Sequence, residues 1–192
     1  MRSCVLAVSL LAACSAPGVF VAENGEHRLV ARDPQTGITA VITTGVWPGD
    51  PQFANEATII HTLVANNGAQ PILLAPGDIE LRDIRGFKAS LLDTGATFER
   101  VASTEEAMTY DRGYERNYDP GTFGEFEQVV VPGEIASQAL PWGVLEPGTQ
   151  MRGFIFFESS TRTTDQAKLV WHVTTPDHVP IADLVFDLYV AR

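Results

Sequence analysis

Hydrophobic and polar positions alternate along several segments of the chain. From Ile181 to Val190, apolar residues at every second position are separated by Asp183 and Asp187. A period of two places successive side chains on opposite faces of a strand, so one face of this segment is buried. The segment from Ala167 to Thr175 has the same pattern. Both patterns predict β-strands with one covered face.

Ten runs rich in β-branched and aromatic residues are predicted as strands. They are Arg28–Arg32, Gly37–Thr44, Ala57–Asn66, Pro71–Leu74, Ile79–Asp83, Phe87–Leu92, Phe126–Val131, Gln150–Glu158, Ala167–Thr175 and Ile181–Val190. Six Pro-Gly dipeptides are typical of type II turns, and Asn67-Gly68 indicates a type I′ hairpin. No long amphipathic helix is indicated. The prediction is an all-β protein with an antiparallel β-sandwich, and a barrel is the alternative.

One long inter-strand loop is predicted at about residues 99–125, and a loop of this length is unusual without a role. It contains three imperfect copies of a four-residue unit, each beginning with tyrosine. Period four places the tyrosines on one face and the acidic residues that follow them on another. The hypothesis is a binding surface for a peptide, a glycan or a cationic partner; the alternative is that the tyrosines pack onto the sandwich. The candidate partner-binding residues are Tyr110, Asp111, Tyr114, Glu115, Tyr118 and Asp119.

The N-terminus carries an export signal. Arg2 precedes the uncharged run Cys4–Ala13, which as a helix would rise only about 15 Å, too short to cross a bilayer. The run ends Leu11-Ala12-Ala13-Cys14-Ser15, which resembles the lipobox of bacterial lipoproteins. The resemblance implies that Cys14 is diacylated and becomes the first residue of the mature protein. An ordinary cleaved signal peptide is the alternative.

This interpretation divides the chain into a signal peptide at 1–13, a lipidated tether at 14–26 and a β-sandwich domain at 27–192. Cys4 leaves with the signal peptide and Cys14 carries lipid, so the domain keeps no thiol for a disulfide, a metal or catalysis. Two acyl chains anchor a protein stably to a membrane surface. By the sorting rule of the lipoproteins that this sequence resembles, Ser15 after the cysteine implies the outer membrane, facing the periplasm, in a cell that has one.

Charge narrows the possible partners. The chain has 24 acidic and 13 basic residues, a net charge of −11, and no segment concentrates lysine and arginine. Nucleic-acid binding through a basic face is therefore not expected. The expected partners are the membrane, through the lipid anchor, and an envelope protein or glycan; no cofactor is expected.

The clearest sign of catalysis is Asp93-Thr94-Gly95 after Leu91-Leu92, which resembles the active-site motif of retroviral-type aspartic peptidases. That chemistry needs two carboxylates sharing a proton, so a homodimer would have to supply the second. The family also closes its loop with a later pair of aliphatic residues and a glycine, and none of the 16 glycines follows such a pair. The favoured interpretation is an Asx-type turn at the end of a strand.

Metal binding is a third possibility. The four histidines are scattered without a short ligand spacing, but His61 and His172 both lie within predicted strands and could meet across a sheet. In the Tyr-rich loop, carboxylates spaced four apart do not match a calcium loop. A periplasmic metal-binding protein therefore remains an alternative hypothesis, and no metal ligands are assigned.

Two stretches resemble bacterial immunoglobulin-like modules of exported proteins. One begins at Val64-Ala65-Asn66-Asn67-Gly68, and the other combines Leu145-Glu146-Pro147-Gly148 with Gly153-Phe154-Ile155-Phe156-Phe157. The resemblance implies an immunoglobulin-like sandwich used in adhesion, assembly or ligand presentation. The chain is accordingly expected to be a non-enzymatic binding or structural module, lipid-anchored at the cell envelope.

Overall fold

The computed structural model describes residues 17–49, 51–92 and 136–192. These residues form two packed antiparallel sheets and one short helix, α1 (Pro51–Glu56). The strands are β1 (Val19–Val21), β2 (Arg28–Arg32), β3 (Ile38–Thr44), β4 (Ala57–Asn66), β5 (Ile72–Leu74), β6 (Ile79–Asp83), β7 (Lys88–Ala89), β8 (Gly143–Leu145), β9 (Thr149–Glu158), β10 (Gln166–Thr174) and β11 (Pro180–Ala191). Short 3₁₀ turns occupy Pro76–Asp78 and Ala136–Gln138.

The larger sheet is built around β10. This strand pairs with β11 along one side, and β1 extends the sheet beyond β11. On the other side β10 pairs with β6 and, at Thr174, with β5; β7 and β8 complete the sheet as partners of β6 and β5. The smaller sheet has the order β2-β3-β4-β9. The all-β sandwich predicted from the sequence is confirmed.

The core lies between the two sheets. On β10, Leu169, Trp171 and Val173 are buried, whereas Lys168 and His172 point to the outer face. The same alternation holds along β11, as its sequence predicted. Apolar burial of this kind contributes about 25 cal/mol to the free energy of folding for each Å² removed from water. No cysteine lies among the described residues, so no disulfide adds to the stability of this part of the chain. The largest buried core side chains are Phe20, Ile38, Ile42, Ile60, Ile72, Leu74, Ile79, Phe157, Trp171 and Phe186.

A second apolar layer covers part of the outer face of the smaller sheet. The Trp47 ring meets Phe154 and Phe156 of β9 edge-on, with centroids 5.0 and 5.4 Å apart, and Phe53 of α1 packs beside them. Both faces of the smaller sheet are thus apolar in this region. This explains why β4 is buried along nearly its whole length instead of alternating.

Two local predictions at the ends of strands are wrong. Val19–Val21 lies within the predicted tether, yet it pairs with β11 as a strand, because Phe20 fills the core. Asn67-Gly68 does not close a hairpin, since β4 belongs to the smaller sheet and β5 to the larger. Neither residue adopts the positive φ that a type I′ turn requires.

The Pro-Gly dipeptides also differ from the single turn type predicted for them. Gly148 has φ +76°, and the Thr149 amide donates to the Glu146 carbonyl at 3.2 Å, as in a type II turn. Gly18, Gly49 and Gly77 lack positive φ. The dipeptides at 120–121 and 132–133, the predicted strand Phe126–Val131 and the predicted loop at 99–125 lie outside the described residues.

Candidate functional site

Most residues that the sequence singled out for function lie outside the described residues. These are Cys14, Asp93, Tyr110, Asp111, Tyr114, Glu115, Tyr118 and Asp119. Their assignments therefore remain predictions. The described residues show what flanks the segment 93–135, and they locate two of the histidines and the end of the sandwich at which β1 begins.

Both ends of the segment 93–135 are attached at β9, the edge of the smaller sheet. Before the segment, Leu91 bridges Phe157 and the Leu92 amide donates to the Phe156 carbonyl at 2.8 Å. After it, Ala139 bridges Phe154 in parallel orientation and the Leu140 amide donates to the Phe154 carbonyl at 2.8 Å. The chain thus leaves the described residues beside β9 and returns beside β9.

The two histidines that could have met across a sheet are separated by the sandwich. His61 lies buried on the outer face of the smaller sheet, with its ring edge-on to Phe154 at 5.0 Å. His172 lies on the outer face of the larger sheet, where its Nδ1 is 2.8 Å from Asp183 Oδ1. Packed sheets are about 10 Å apart, and both rings point away from the core, so they do not share a ligand. No group of three His, Cys, Asp or Glu residues in the described segments could hold a metal ion.

The end of the sandwich at which the chain enters from the N-terminus is called here the tether end. It consists of Gly18, Val19, the turn Ile84–Phe87, the loop Thr161–Asp165, Ala191 and Arg192. Val19 pairs with Ala191, and the amides of Val190 and Ile84 donate to the carbonyls of Asp165 and Gln166. These contacts place the start of β1 and the β6–β7 turn at the same end of the strands of the larger sheet, on opposite sides of the β10–β11 pair.

The β6–β7 turn is held rigidly by Asp83. Its Oδ1 accepts hydrogen bonds from the amides of Arg85 and Phe87 at 2.8 and 2.9 Å. The Asp83 amide donates to the Phe87 carbonyl, while Gly86 takes φ +88° and its amide donates to the Asp83 carbonyl. Gly86 is suited to this conformation because it has no Cβ. The turn therefore has one defined conformation.

The Arg85 side chain folds back on the outer side of the same turn and connects it to the loop Thr161–Asp165. Its guanidinium donates to Asp83 Oδ2 at 2.8 and 2.9 Å and to the Thr163 carbonyl at 3.1 Å, and it lies 5.3 Å from the Phe87 ring centroid. Partial burial of Asp83 raises its pKa, but the hydrogen bonds from Arg85 and the turn amides outweigh this and leave the pKa below its ordinary value. The carboxylate stays ionised and keeps the turn closed.

A small open cavity also lies at this end. It is lined mainly by apolar groups, including Val19, Phe20, Trp47, Ala57 and Ile59, and has a volume of about 100 Å³. Pockets that take drug-sized ligands or cofactors measure about 300–1,000 Å³. The cavity is therefore too small for such a ligand.

The outer face of the larger sheet is polar and charged. Glu80 accepts hydrogen bonds from Arg82 Nε at 2.6 Å and from Lys88 Nζ at 3.0 Å. These bonds, that from Arg82 first, lower the pKa of Glu80 to about 2. Lys168 and Asp187 form a second, more exposed cross-strand pair at 3.4 Å. Such exposed ion pairs keep this face hydrated, and each contributes little to the free energy of unfolding.

Glu80→Gln is expected to lower the free energy of unfolding at pH 7 by about 1 kcal/mol. The folded-state pKa lies below the ordinary value of 4.5, so the contribution is fully present above pH 4.5 and is lost as pH falls towards 2. Urea unfolding of both proteins at pH 7 and at about pH 2 tests this. Glu146→Gln, at an exposed turn, is the matched control and should show no difference. An equal loss for Glu80→Gln at both pH values would contradict the expectation.

Taken together, these features define an all-β, two-sheet sandwich. None of the helices in the described ranges has the length and hydrophobicity of a membrane span. The chain matches no protein-family model and no curated protein. Among solved structures it is similar to a Bacillus subtilis protein described as a candidate lipoprotein, YcdA, with a TM-score of 0.41 and 12% identity. The similarity covers 85% of this chain and 38% of that chain, so this chain spans less than two-fifths of that protein's length.

Proposed function

We propose that this protein is exported and lipid-anchored, and that its β-sandwich is a non-catalytic binding or structural module of the cell envelope. The observation that carries the proposal is the order of features at the N-terminus: one positive charge, an uncharged apolar run and then Leu11-Ala12-Ala13-Cys14. A cysteine at that position is the residue that bacterial lipoproteins acylate. Ser15 extends the proposal to the outer membrane, facing the periplasm.

The described residues are compatible with an anchor close to the domain. β1 begins at Val19, five residues after Cys14, and it pairs with β11 of the larger sheet. Five residues span at most about 17 Å when fully extended. An acylated Cys14 would therefore hold the tether end close to the bilayer.

Partner binding is assigned to the Tyr-rich sequence. We place the partner surface on Tyr110, Tyr114 and Tyr118 with the acidic residues that follow them, because a repeated tyrosine unit offers large contact area at low entropic cost. The described residues on both sides of this sequence, Leu91 and Ala139, bridge to β9.

No specific observation favours the two alternatives. An aspartic peptidase rests on Asp93 alone and needs a second carboxylate. A metal-binding protein built on His61 and His172 is disfavoured, since the two rings occupy opposite outer faces of the sandwich.

Cys14→Ser is expected to abolish membrane attachment. Because anchoring depends on two acyl chains, loss of the acylated sulfur should remove the protein from the membrane fraction almost completely. The measurement is incorporation of labelled palmitate together with fractionation of bacterial cells that produce the full chain. Cys4→Ser is the matched control, since Cys4 lies in the predicted signal peptide, and it should retain both label and attachment. A Cys14→Ser protein that is still labelled or still pellets with membranes would refute the proposal.

A further inference from the structure

Two large apolar side chains are exposed in one rigid turn at the tether end. Ile84 is 71% exposed and Phe87 is 68% exposed, the highest values among the large hydrophobic residues of the described segments. The hydrogen bonds of Asp83 and Arg85 hold the backbone of the turn, so both side chains project outward from a fixed backbone. Neither belongs to the core clusters. The fold itself does not account for their exposure.

The position of this turn is related to the lipid anchor. From β1 the strands of the larger sheet run β1, β11, β10 and β6, so three strand spacings separate Val19 from Ile84. At about 4.8 Å per spacing the separation is about 14 Å. Val19 is itself 38% exposed. A bilayer that holds Cys14 is therefore within reach of Ile84 and Phe87.

The charges at the tether end nearly cancel, although the chain carries a net charge of −11. Arg85 is paired with Asp83 and Arg192 with Asp165. Arg162 donates to the Asn55 carbonyl at 3.0 Å and lies near two exposed acids, Glu56 and Glu158, whose charges it offsets in part. A strongly acidic protein would be repelled by anionic headgroups, and this end carries little of that repulsion.

We propose that the tether end docks on the surface of the bilayer, with Ile84 and Phe87 inserted into the interface and the arginines at headgroup level. The inference rests on the proposed lipid anchor. The anchor would raise the local concentration of the turn at the membrane, so that insertion of two side chains is enough for docking. Aromatic and aliphatic side chains flanked by arginine suit the membrane interface, because its acyl-chain side is apolar and its headgroup side is hydrated. The docked end orients the sandwich so that the β10–β11 hairpin points away from the membrane.

Tryptophan quenching by brominated lipid tests the orientation. The full lipidated chain carrying Phe87→Trp is reconstituted into phosphatidylethanolamine and phosphatidylglycerol vesicles with brominated acyl chains. The matched control is Val179→Trp, an exposed apolar position (55%, against 68% for Phe87) in the hairpin at the opposite end of β11. Subtraction of the wild-type signal removes the three native tryptophans. The added quenching at position 87 should exceed that at position 179 at least fivefold.

The outcomes separate this inference from the proposed function. Acyl chains on Cys14 are measured by mass spectrometry of the same samples. Acylated protein without preferential quenching at position 87 overturns the docking and leaves the lipid anchor intact; greater quenching at position 179 does the same. Protein without acyl chains overturns both proposals. Shielding of the Phe87→Trp side chain in intact envelopes but not in vesicles would indicate a protein partner and overturn docking on lipid. Thermal melting of each variant confirms that it is folded.

Discussion

Gly153→Ala is expected to lower the free energy of unfolding by about 2–4 kcal/mol. A Cβ at this position would lie 2.5 Å from both the amide nitrogen and the Cα of Leu140, and 2.6 Å from the carbonyl carbon of Ala139. Real Cβ atoms do not approach backbone this closely, and backbone yields less readily than the end of a flexible side chain. The Ala139–Leu140 segment would have to move away from β9.

The segment that would move connects the two sheets. Leu140 is fully buried in the core, and its amide donates to the Phe154 carbonyl at 2.8 Å before the chain continues into β8 of the larger sheet. Displacing it would both weaken this bond and disturb core packing. The loss would be a substantial fraction of a total stability of about 5–15 kcal/mol.

Thermal unfolding of the full chain measures the effect as a decrease in melting temperature of about 5–15 °C. Gly77→Ala is the matched control, because a Cβ there meets no atom within 4 Å and its φ is not positive. That variant should be neutral or slightly more stable, since alanine restricts the unfolded chain. Equal melting temperatures for the two variants would show that the close approach of Ala139–Leu140 to β9 does not require glycine at position 153.

The strands could be predicted because their side chains report burial locally. Arg28–Arg32, Ala57–Asn66 and Ile79–Asp83 have the bounds expected from their sequences, and the alternation along β10 and β11 matches the observed faces. Period and β-branched content depend only on near neighbours in the chain. The predicted all-β sandwich follows from these signals.

The assignment of strands to sheets was not accessible in the same way. Asn67-Gly68 and Pro147-Gly148 both predict tight turns, yet each connects strands of different sheets. A turn signal reports that the chain reverses locally and says nothing about which strand it meets next. β8 has three residues and β1 has three, too few to show a period.

The exposed turn Ile84–Phe87 could likewise not be predicted from local sequence alone. Phe87 was predicted to begin a strand, but β7 has only two residues and Phe87 lies in the exposed turn before it. Ile84-Arg85-Gly86 contains a turn glycine, which could have indicated the break. The degree to which Ile84 and Phe87 are exposed depends on distant contacts such as that between Arg85 and Thr163. Only the folded structure supplies this information.

Asn66→Ala is expected to lower the free energy of unfolding by about 2–4 kcal/mol. Asn66 is fully buried at the end of β4, and its Nδ2 donates to the carbonyls of Gln70 at 2.9 Å and Leu145 at 3.0 Å, while its Oδ1 accepts from the Gly68 amide at 3.0 Å. Alanine would leave these three backbone groups without that partner. Since Leu145 belongs to β8, the amide also joins the smaller sheet to the larger one.

The adjacent Asn67 provides the control. It separates the effect of losing the Asn66 hydrogen bonds from the general effect of replacing a buried asparagine by alanine. Its side-chain amide is buried without a hydrogen-bond partner in the described part of the chain, so Asn67→Ala removes a desolvated polar group and should be neutral or slightly stabilising. Urea unfolding of the two variants and the wild type at pH 7 gives the comparison. Similar midpoints for Asn66→Ala and Asn67→Ala would mean that the bond to Leu145 does not hold the sheets together. A loss confined to Asn66→Ala would show that this one buried amide stabilises the contact between the two sheets.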